Sequence, residues 1–70
     1  MNRYRVTIAW SDEDEVYVAD VPELPGCRAH GDTREEALAN AMEAMSLWLD
    51  TARELGRPIP APVSAAFASA

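Results

Sequence analysis

The sequence predicts an α+β fold, a three-stranded antiparallel sheet with one long helix packed on it in the order β-β-β-α. Two segments with apolar residues at alternate positions, 3–10 and 15–21, are joined by a short polar link, which is typical of an antiparallel hairpin. A turn rich in proline and glycine leads into a third short β segment over 27–30. Residues 34–55 then show an amphipathic helical pattern with recognisable start and stop signals. Seventy residues accommodate one such domain.

The first predicted strand covers residues 3–10. Apolar or aromatic side chains occupy every second position within it, at Tyr4, Val6, Ile8 and Trp10. This period of two indicates a strand with one buried face.

The polar link after this strand carries four consecutive carboxylates. We call it the acidic turn: Asp12, Glu13, Asp14 and Glu15. A charge run at a hairpin tip is ordinarily solvated, and contact with a partner is the functional alternative.

The second predicted strand covers residues 15–21, and two sets of side chains compete for its buried face. Val16 and Val18 form one set, and Tyr17, Ala19 and Val21 form the other. Both sets are apolar enough to face a core, so the pattern leaves this choice open.

The second strand is expected to stop at the Pro/Gly turn, residues 22–26. Pro22 and Pro25 each fix φ and lack a backbone donor, so neither can continue the pairing. Gly26 can adopt positive φ and close the turn. The third strand is then expected to cover 27–30, and Gly31 is expected to break it.

The helix has clear boundary signals. Thr33 is a favourable N-cap residue, and Thr33 with Glu36 has the spacing of a capping box. The helix is predicted to run from about residue 34 to Leu55, with Gly56 at the C′ position and Pro58 beyond it.

The apolar arc of this helix spans roughly 160°, which is wider than the ~100° that a surface helix needs to cover a sheet. Trp48 lies on a flank of the arc and Leu47 lies on the polar side. A chain below ~70–80 residues usually needs a staple or a partner, and the single Cys27 cannot form an internal disulfide. We therefore predict a homo-oligomer, a dimer or a tetramer, with Leu47 and Trp48 in the interface.

The segment after Gly56 reads R-P-I-P-A-P, which favours an extended path. Residues 63–70 are predicted to be either a C-terminal tail or a short edge strand, and the sequence leaves both open. The folded domain is accordingly predicted to cover residues 1–62.

The net charge of −6 arises from twelve acidic and six basic side chains. This balance argues against direct nucleic acid binding, which needs clustered Lys and Arg, and it suits a basic protein partner. No run of apolar residues approaches the length of a membrane span, and no secretory leader precedes the first strand. The expectation is a cytoplasmic protein, with no membrane association and a reduced thiol.

No catalytic site, metal site or cofactor is expected. Cys27 and His30 lie three apart on one predicted strand, so their side chains should point to opposite faces. The acidic turn lacks the glycine and the ligand spacing of a calcium-binding loop. Gly26 and Gly31 do not form a phosphate-binding loop.

Three motifs in a fixed order carry a resemblance to a known family: the P-E-L-P-G-C turn, the G-D-T-R-E-E-A-L helix start and the later P-I-P-A-P segment. From Tyr4 to Pro62 the chain resembles the N-terminal domain of HicB antitoxins. Those proteins are the partners of HicA toxins in bacterial and archaeal type II toxin–antitoxin systems.

The resemblance implies a partly degenerate ribonuclease-H-like arrangement, with or without a last strand. It also implies a HicA-like toxin as partner, a small basic RNA-cleaving protein whose catalytic histidine and RNA-binding surface the antitoxin masks. Opposite potentials would steer and specify that association. We predict that the contacts come from six carboxylates: Asp12, Glu13, Asp14, Glu15, Asp20 and Glu23.

Two departures from the family pattern are visible. Many HicB proteins carry a C-terminal helix-turn-helix or ribbon-helix-helix segment that represses their operon, whereas this chain ends at Ala70, so direct operator binding is not expected. The acidic turn also lacks the glycine often found before the residue equivalent to Tyr17. Two alternatives remain: an orphan oligomeric binding module without a toxin, and a minimal ribonuclease-H-like nuclease, which would need clustered carboxylates and divalent metal.

Overall fold

A computed structural model describes residues 4–60 of the chain and has the predicted order of elements. Strand β1 spans Thr7–Ser11, β2 spans Val16–Asp20, β3 spans Arg28–Gly31 and helix α1 spans Arg34–Glu54. The sheet order is β1-β2-β3, and both neighbouring pairs are antiparallel. The predicted α+β class is confirmed. The predicted tail or edge strand at 63–70 lies outside the described residues.

The strands are shorter than the predicted segments or shifted relative to them, because residues at the predicted strand ends belong to the turns instead. β1 begins at Thr7 rather than at residue 3, since the Arg5 backbone N–H is bound by the Glu23 carboxylate instead of by β2. β2 begins after Glu15, whose φ of 54° lies outside the β region. It ends before Val21, which donates its N–H to the Cys27 carbonyl across the Pro/Gly turn.

The helix packs on the face of the sheet that carries Ala19 and Tyr17, which settles the choice that the sequence left open. One of the two core clusters of residues 4–60 lies here and is made of small side chains, Ala19, Ala29, Ala37 and Ala41. Small side chains on both layers let the helix backbone approach the sheet closely.

Gly31 is the clearest sign of that close approach. It is the last residue of β3 rather than the break after it, contrary to the prediction. A Cβ at this position would lie 2.3 Å from the Ala37 backbone nitrogen, which no real side chain tolerates. Glycine is therefore required because the strand end and the helix start touch backbone to backbone.

The second core cluster lies between the Pro/Gly turn and the C-terminal half of α1. Its buried members are Val21, Leu24, Cys27, Met45 and Leu49, with Tyr4, Val6, Ala44 and Trp48 packed around them. Leu24, in the middle of the turn, is completely buried. The turn is thus held to the helix by its own side chain.

Both helix ends have the predicted capping residues. The Thr33 hydroxyl accepts the Glu36 N–H at 3.1 Å, while the Glu36 carboxylate accepts the Asp32 N–H, one residue before the N-cap. At the other end Leu55 is the C-cap and Gly56 has φ 67°. The Arg57 N–H donates to the Ala52 carbonyl, which completes a Schellman motif.

Part of the predicted apolar arc stays exposed because α1 lies over β3 and β2 and makes few contacts with β1. The buried helix residues are Ala37, Ala41, Met45, Leu49 and Ala52. The exposed large side chains of the helix and its C-cap are Leu38, Met42, Leu47 and Leu55. Within the described residues, the helix does not meet the length and hydropathy of a membrane-crossing segment.

Candidate partner-binding surface

The acidic turn is held in a defined conformation by bonds from residues at its start. The Ser11 carbonyl accepts the Glu15 N–H at 2.8 Å, and the Ser11 hydroxyl accepts the Asp14 N–H at 3.4 Å. The Trp10 indole N–H donates to the Asp12 carboxylate at 2.8 Å. The four carboxylates are therefore presented on an ordered hairpin tip and are all exposed.

No cation neutralises these four side chains within residues 4–60. Arg28 forms an ion pair with Asp20, and Arg53 forms one with Asp50. The acidic turn therefore concentrates negative charge at one end of the hairpin. The electrostatic potential of such a cluster attracts a positively charged partner.

Asp20 forms an ion pair with a residue of the same chain. It lies opposite Arg28 in the β2–β3 register, and its two carboxylate oxygens accept from the Arg28 Nε and Nη2 atoms, each at 3.1 Å. This bidentate bond raises the pKa of the Arg28 guanidinium above its usual value. The Asp20–Arg28 ion pair therefore carries no net charge, and it lies on the face of the sheet opposite the helix.

Glu23 has a structural contact as well. Its two carboxylate oxygens accept the Arg5 backbone N–H at 3.1 and 3.3 Å. This bond ties the Pro/Gly turn to the segment that leads into β1.

The six carboxylates predicted to bind a partner do not form one cluster. The acidic turn follows the Ser11–Val16 pair, whereas Asp20 pairs with Thr7 at the opposite end of the hairpin. The four residue steps from Val16 to Asp20 separate the two ends by about 13 Å at the usual rise per residue. The contact prediction for Asp20 and Glu23 is therefore independent of that for the acidic turn.

Trp10 belongs to the acidic end of the hairpin, which the sequence pattern did not indicate. It was expected on a buried face, but half of its surface, 50%, is exposed. The Trp10 ring packs edge-on against the Tyr17 ring, with the two ring centroids 5.1 Å apart. The Arg34 guanidinium lies over the Tyr17 ring. Its position as the second-last strand residue beside a charged turn is the signal that could have indicated exposure.

Leu47 and Trp48, the predicted oligomer contacts, differ in their environments. Leu47 is 68% exposed and projects from the helix. Trp48 is partly buried and donates its indole N–H to the Pro25 carbonyl at 2.9 Å. With Cys27, Thr51 and Arg57 they line an open groove of about 300 Å³ between α1 and the Pro/Gly turn. Their role in association stays a prediction.

The arrangement around Cys27 does not support nucleophilic chemistry. Cys27 is buried in the core, and burial, followed by the charge of Asp20, raises the pKa of its thiol. His30 is exposed, whereas its strand neighbour Ala29 is buried on the helix side. Among the described residues, no three His, Cys, Asp or Glu side chains converge on a point where a metal ion could bind.

The sequence model of the HicB-like antitoxins of bacterial toxin–antitoxin systems matches residues 4–69. The chain belongs to the HicB-like antitoxin family. This confirms the family predicted from the three motifs, two of which build the Pro/Gly turn and the N-cap described above.

Several relatives of this HicB-like chain are proteins of the group UPF0150. One from Thermoplasma acidophilum is 41% identical over 58 residues, which are 83% of each chain. One from Synechocystis is 43% identical over 44 residues, 63% of this chain and 60% of the relative. An uncharacterised 14.9 kDa protein of Haemophilus phage HP1 is 43% identical over 44 residues, 63% of this chain but 33% of the phage protein. No solved structure matches the chain significantly.

Proposed function

We propose that this chain is the antitoxin of a HicAB-type pair and that it binds and occludes a small, basic, RNA-cleaving toxin. The observation that carries the proposal is the acidic turn, an ordered tip of four exposed carboxylates that no cation of residues 4–60 neutralises. Membership of an antitoxin family gives that negative surface a purpose.

The turn would act in two ways. Its potential would speed the encounter with a basic surface, since electrostatic steering raises association rates by about 10–10³-fold at low salt. Its ordered backbone would limit the conformational entropy lost on binding. Neither step requires a reactive group of the antitoxin, so the proposed function needs no catalytic activity and no cofactor.

The setting that this function implies is a cytoplasmic complex in which the chain is a homo-oligomer. The toxin is an enzyme of RNA cleavage, and occlusion of its active surface leaves the RNA untouched. The acidic balance of the whole chain, −6, would add long-range attraction to the local contact.

The test compares two double charge reversals with the same change in net charge. Glu13→Lys with Asp14→Lys alters the acidic turn at side chains that make no contact described above. Glu43→Lys with Glu54→Lys alters the exposed surface of α1. Association of each variant with a small basic HicA-type toxin, the proposed partner, is followed by biolayer interferometry at low and physiological salt.

The turn variant is expected to lower the association rate constant about tenfold or more, and the helix variant by a few-fold at most. Raising the salt should shrink the difference, because exposed charges are screened. Equal losses for both variants, or none for the turn variant, would show that the acidic turn is not the contact surface.

A further inference from the structure

The sheet has a second face, opposite the one that carries helix α1, which we call the outer face. Among the elements of residues 4–60, three strands build the sheet and α1 packs against Ala19 and Ala29 on the other side. Side chains alternate between the two faces along a strand, and directly paired residues share a face. The outer face therefore carries Ala9, Ser11, Val16, Val18, Asp20 and Arg28.

The centre of the outer face is apolar and flat. Ala9, Val16 and Val18 lie there, and none of these side chains is longer than that of valine. Ala9 is exposed, and the two valines are half-buried. The Asp20–Arg28 ion pair lies at one end and carries no net charge, while the acidic turn joins β1 to β2 at the other end. An apolar centre with polar ends is the usual composition of a protein interface.

The acidic turn by itself is too small to hold a stable complex. A standard interface involves about 20–30 residues and about 800 Å² of surface on each partner, whereas the acidic turn supplies four residues. Charges at the rim of an interface mainly raise the association rate, and the well-packed core carries most of the binding energy. A toxin that binds at the acidic turn must therefore cover an adjoining surface as well.

We propose that the outer face is the apolar core of the toxin-binding surface, with Ala9 and Val18 at its centre and the acidic turn at its rim. The inference rests on the function proposed above and names the surface that this function uses. The occupant is a small basic protein that presents apolar side chains beside its cations. Its cations meet the acidic turn, which governs the rate of association. Its apolar side chains cover Ala9 and Val18, and this contact governs the rate of dissociation.

Charge favours the outer face over the helix side of the hairpin, which also adjoins the acidic turn. On the helix side, the Arg34 guanidinium lies over the Tyr17 ring, and that ring packs against Trp10. A positive charge beside Trp10 opposes the approach of a basic protein. On the outer face, the Asp20 carboxylate neutralises the guanidinium of Arg28 through two hydrogen bonds. A basic partner steered to the acidic turn therefore meets less positive charge on the outer face.

A second copy of the chain and residues 61–70 fit the outer face less well. A second copy would bring another net charge of −6 and another acidic turn to the rim, and like charges repel. Tyr4 packs on the core cluster that contains Met45 of the helix, and its hydroxyl donates to the Pro60 carbonyl. The last described residue, Pro60, thus lies on the helix side of the sheet. Both occupants are outcomes of the test.

Ala9→Glu distinguishes the outer face from electrostatic steering. The new carboxylate makes the chain more negative, so steering alone would keep association with a basic toxin as fast or faster. In the apolar core of an interface the same carboxylate would lose its hydration, which is unfavourable. Ala39→Glu, the same substitution on the exposed surface of α1, is the matched control. Binding of each variant to a HicA-type toxin is followed by biolayer interferometry.

Ala9→Glu is expected to raise the dissociation rate constant about tenfold or more without slowing association, and Ala39→Glu should leave dissociation unchanged. Val18→Thr keeps the shape of the side chain but places a hydroxyl in the apolar centre. It should raise the dissociation rate constant about threefold or more. Circular dichroism identifies any variant that fails to fold, and Val18→Thr decides the question if Ala9→Glu does not fold.

Wild-type dissociation rates for both Ala9→Glu and Val18→Thr would overturn the inference. If Glu13→Lys with Asp14→Lys still slowed association, the proposed function would stand and the core of the interface would lie elsewhere. Sedimentation and chemical denaturation of the chain alone would then identify the occupant. Ala9→Glu would lose self-association if a second copy covered the outer face, and stability if residues 61–70 did. No binding of the wild type to the toxin would overturn the proposed function and this inference together.

Discussion

The Trp48 indole N–H donates to the Pro25 backbone carbonyl at 2.9 Å, and this bond joins the helix to the Pro/Gly turn across 23 residues of sequence. Leu24 beside it is completely buried against the same helix. The turn is thus anchored by one apolar side chain and one directional bond, which explains why a segment with two prolines and a glycine holds a fixed shape.

Trp48→Phe should lower the free energy of unfolding by about 0.5–1.5 kcal/mol, the usual net value of a hydrogen bond. Phe keeps most of the ring packing, so Trp48→Ala should cost more, about 3 kcal/mol. Chemical denaturation of both variants measures the difference. Equal stability of Trp48→Phe and the wild type would show that the bond to Pro25 contributes nothing.

Gly31→Ala should destabilise the fold by about 3 kcal/mol or more, because its Cβ would overlap the backbone of Ala37. Gly56→Ala is the matched control. Its added Cβ meets no neighbour, and the cost is that of a positive φ alone, about 1 kcal/mol. Thermal unfolding distinguishes them, and a Gly31→Ala variant as stable as Gly56→Ala would contradict the close contact of strand and helix.

Glu15→Gly should stabilise the hairpin by about 1 kcal/mol, because Glu15 holds a φ of 54° that glycine adopts without strain. Glu13→Gly removes the same charge at a position without positive φ and should be neutral or destabilising. Urea midpoints of the two variants provide the comparison. A lower midpoint for Glu15→Gly would indicate that the Glu15 side chain stabilises the turn.

The raised pKa of the Cys27 thiol predicts that the folded chain loses stability at alkaline pH. Burial raises its pKa in the folded chain, so the unfolded chain loses its proton first, near the ordinary value of 9.0. The buried thiol therefore contributes its full stabilisation below that pH. This stabilisation is lost as the pH rises from there through the raised pKa of Cys27 in the folded chain. Cys27→Ala should flatten this part of the stability profile. An unchanged alkaline slope in Cys27→Ala would assign the loss to other groups.

The order of elements and both helix caps could be predicted because they depend on local signals. Thr33, Glu36 and Gly56 act within one helical turn of their own positions. The turns were harder to predict, since their bonds reach across the chain. Glu23 binds the backbone of Arg5, and this contact delays the start of β1.

The candidate site was predicted less completely than the fold. The four carboxylates of the acidic turn were identified as a charge run, and they are exposed as a solvated tip must be. The commitment of Asp20 to Arg28 depends on the strand register, which the sequence did not fix. The exposure of Trp10 depends on the displacement of the helix toward β3, a tertiary effect for which the charged turn beside Trp10 is the one signal in the sequence.

The central claim is that this chain neutralises a toxin by covering it. The most direct measurement is RNA cleavage by a HicA-type toxin, the proposed partner, titrated with the purified chain. We predict that cleavage falls linearly to zero at a fixed stoichiometric ratio and that the chain alone cleaves no RNA with or without Mg²⁺. Undiminished cleavage at excess antitoxin, or metal-dependent turnover by the chain itself, would contradict the account.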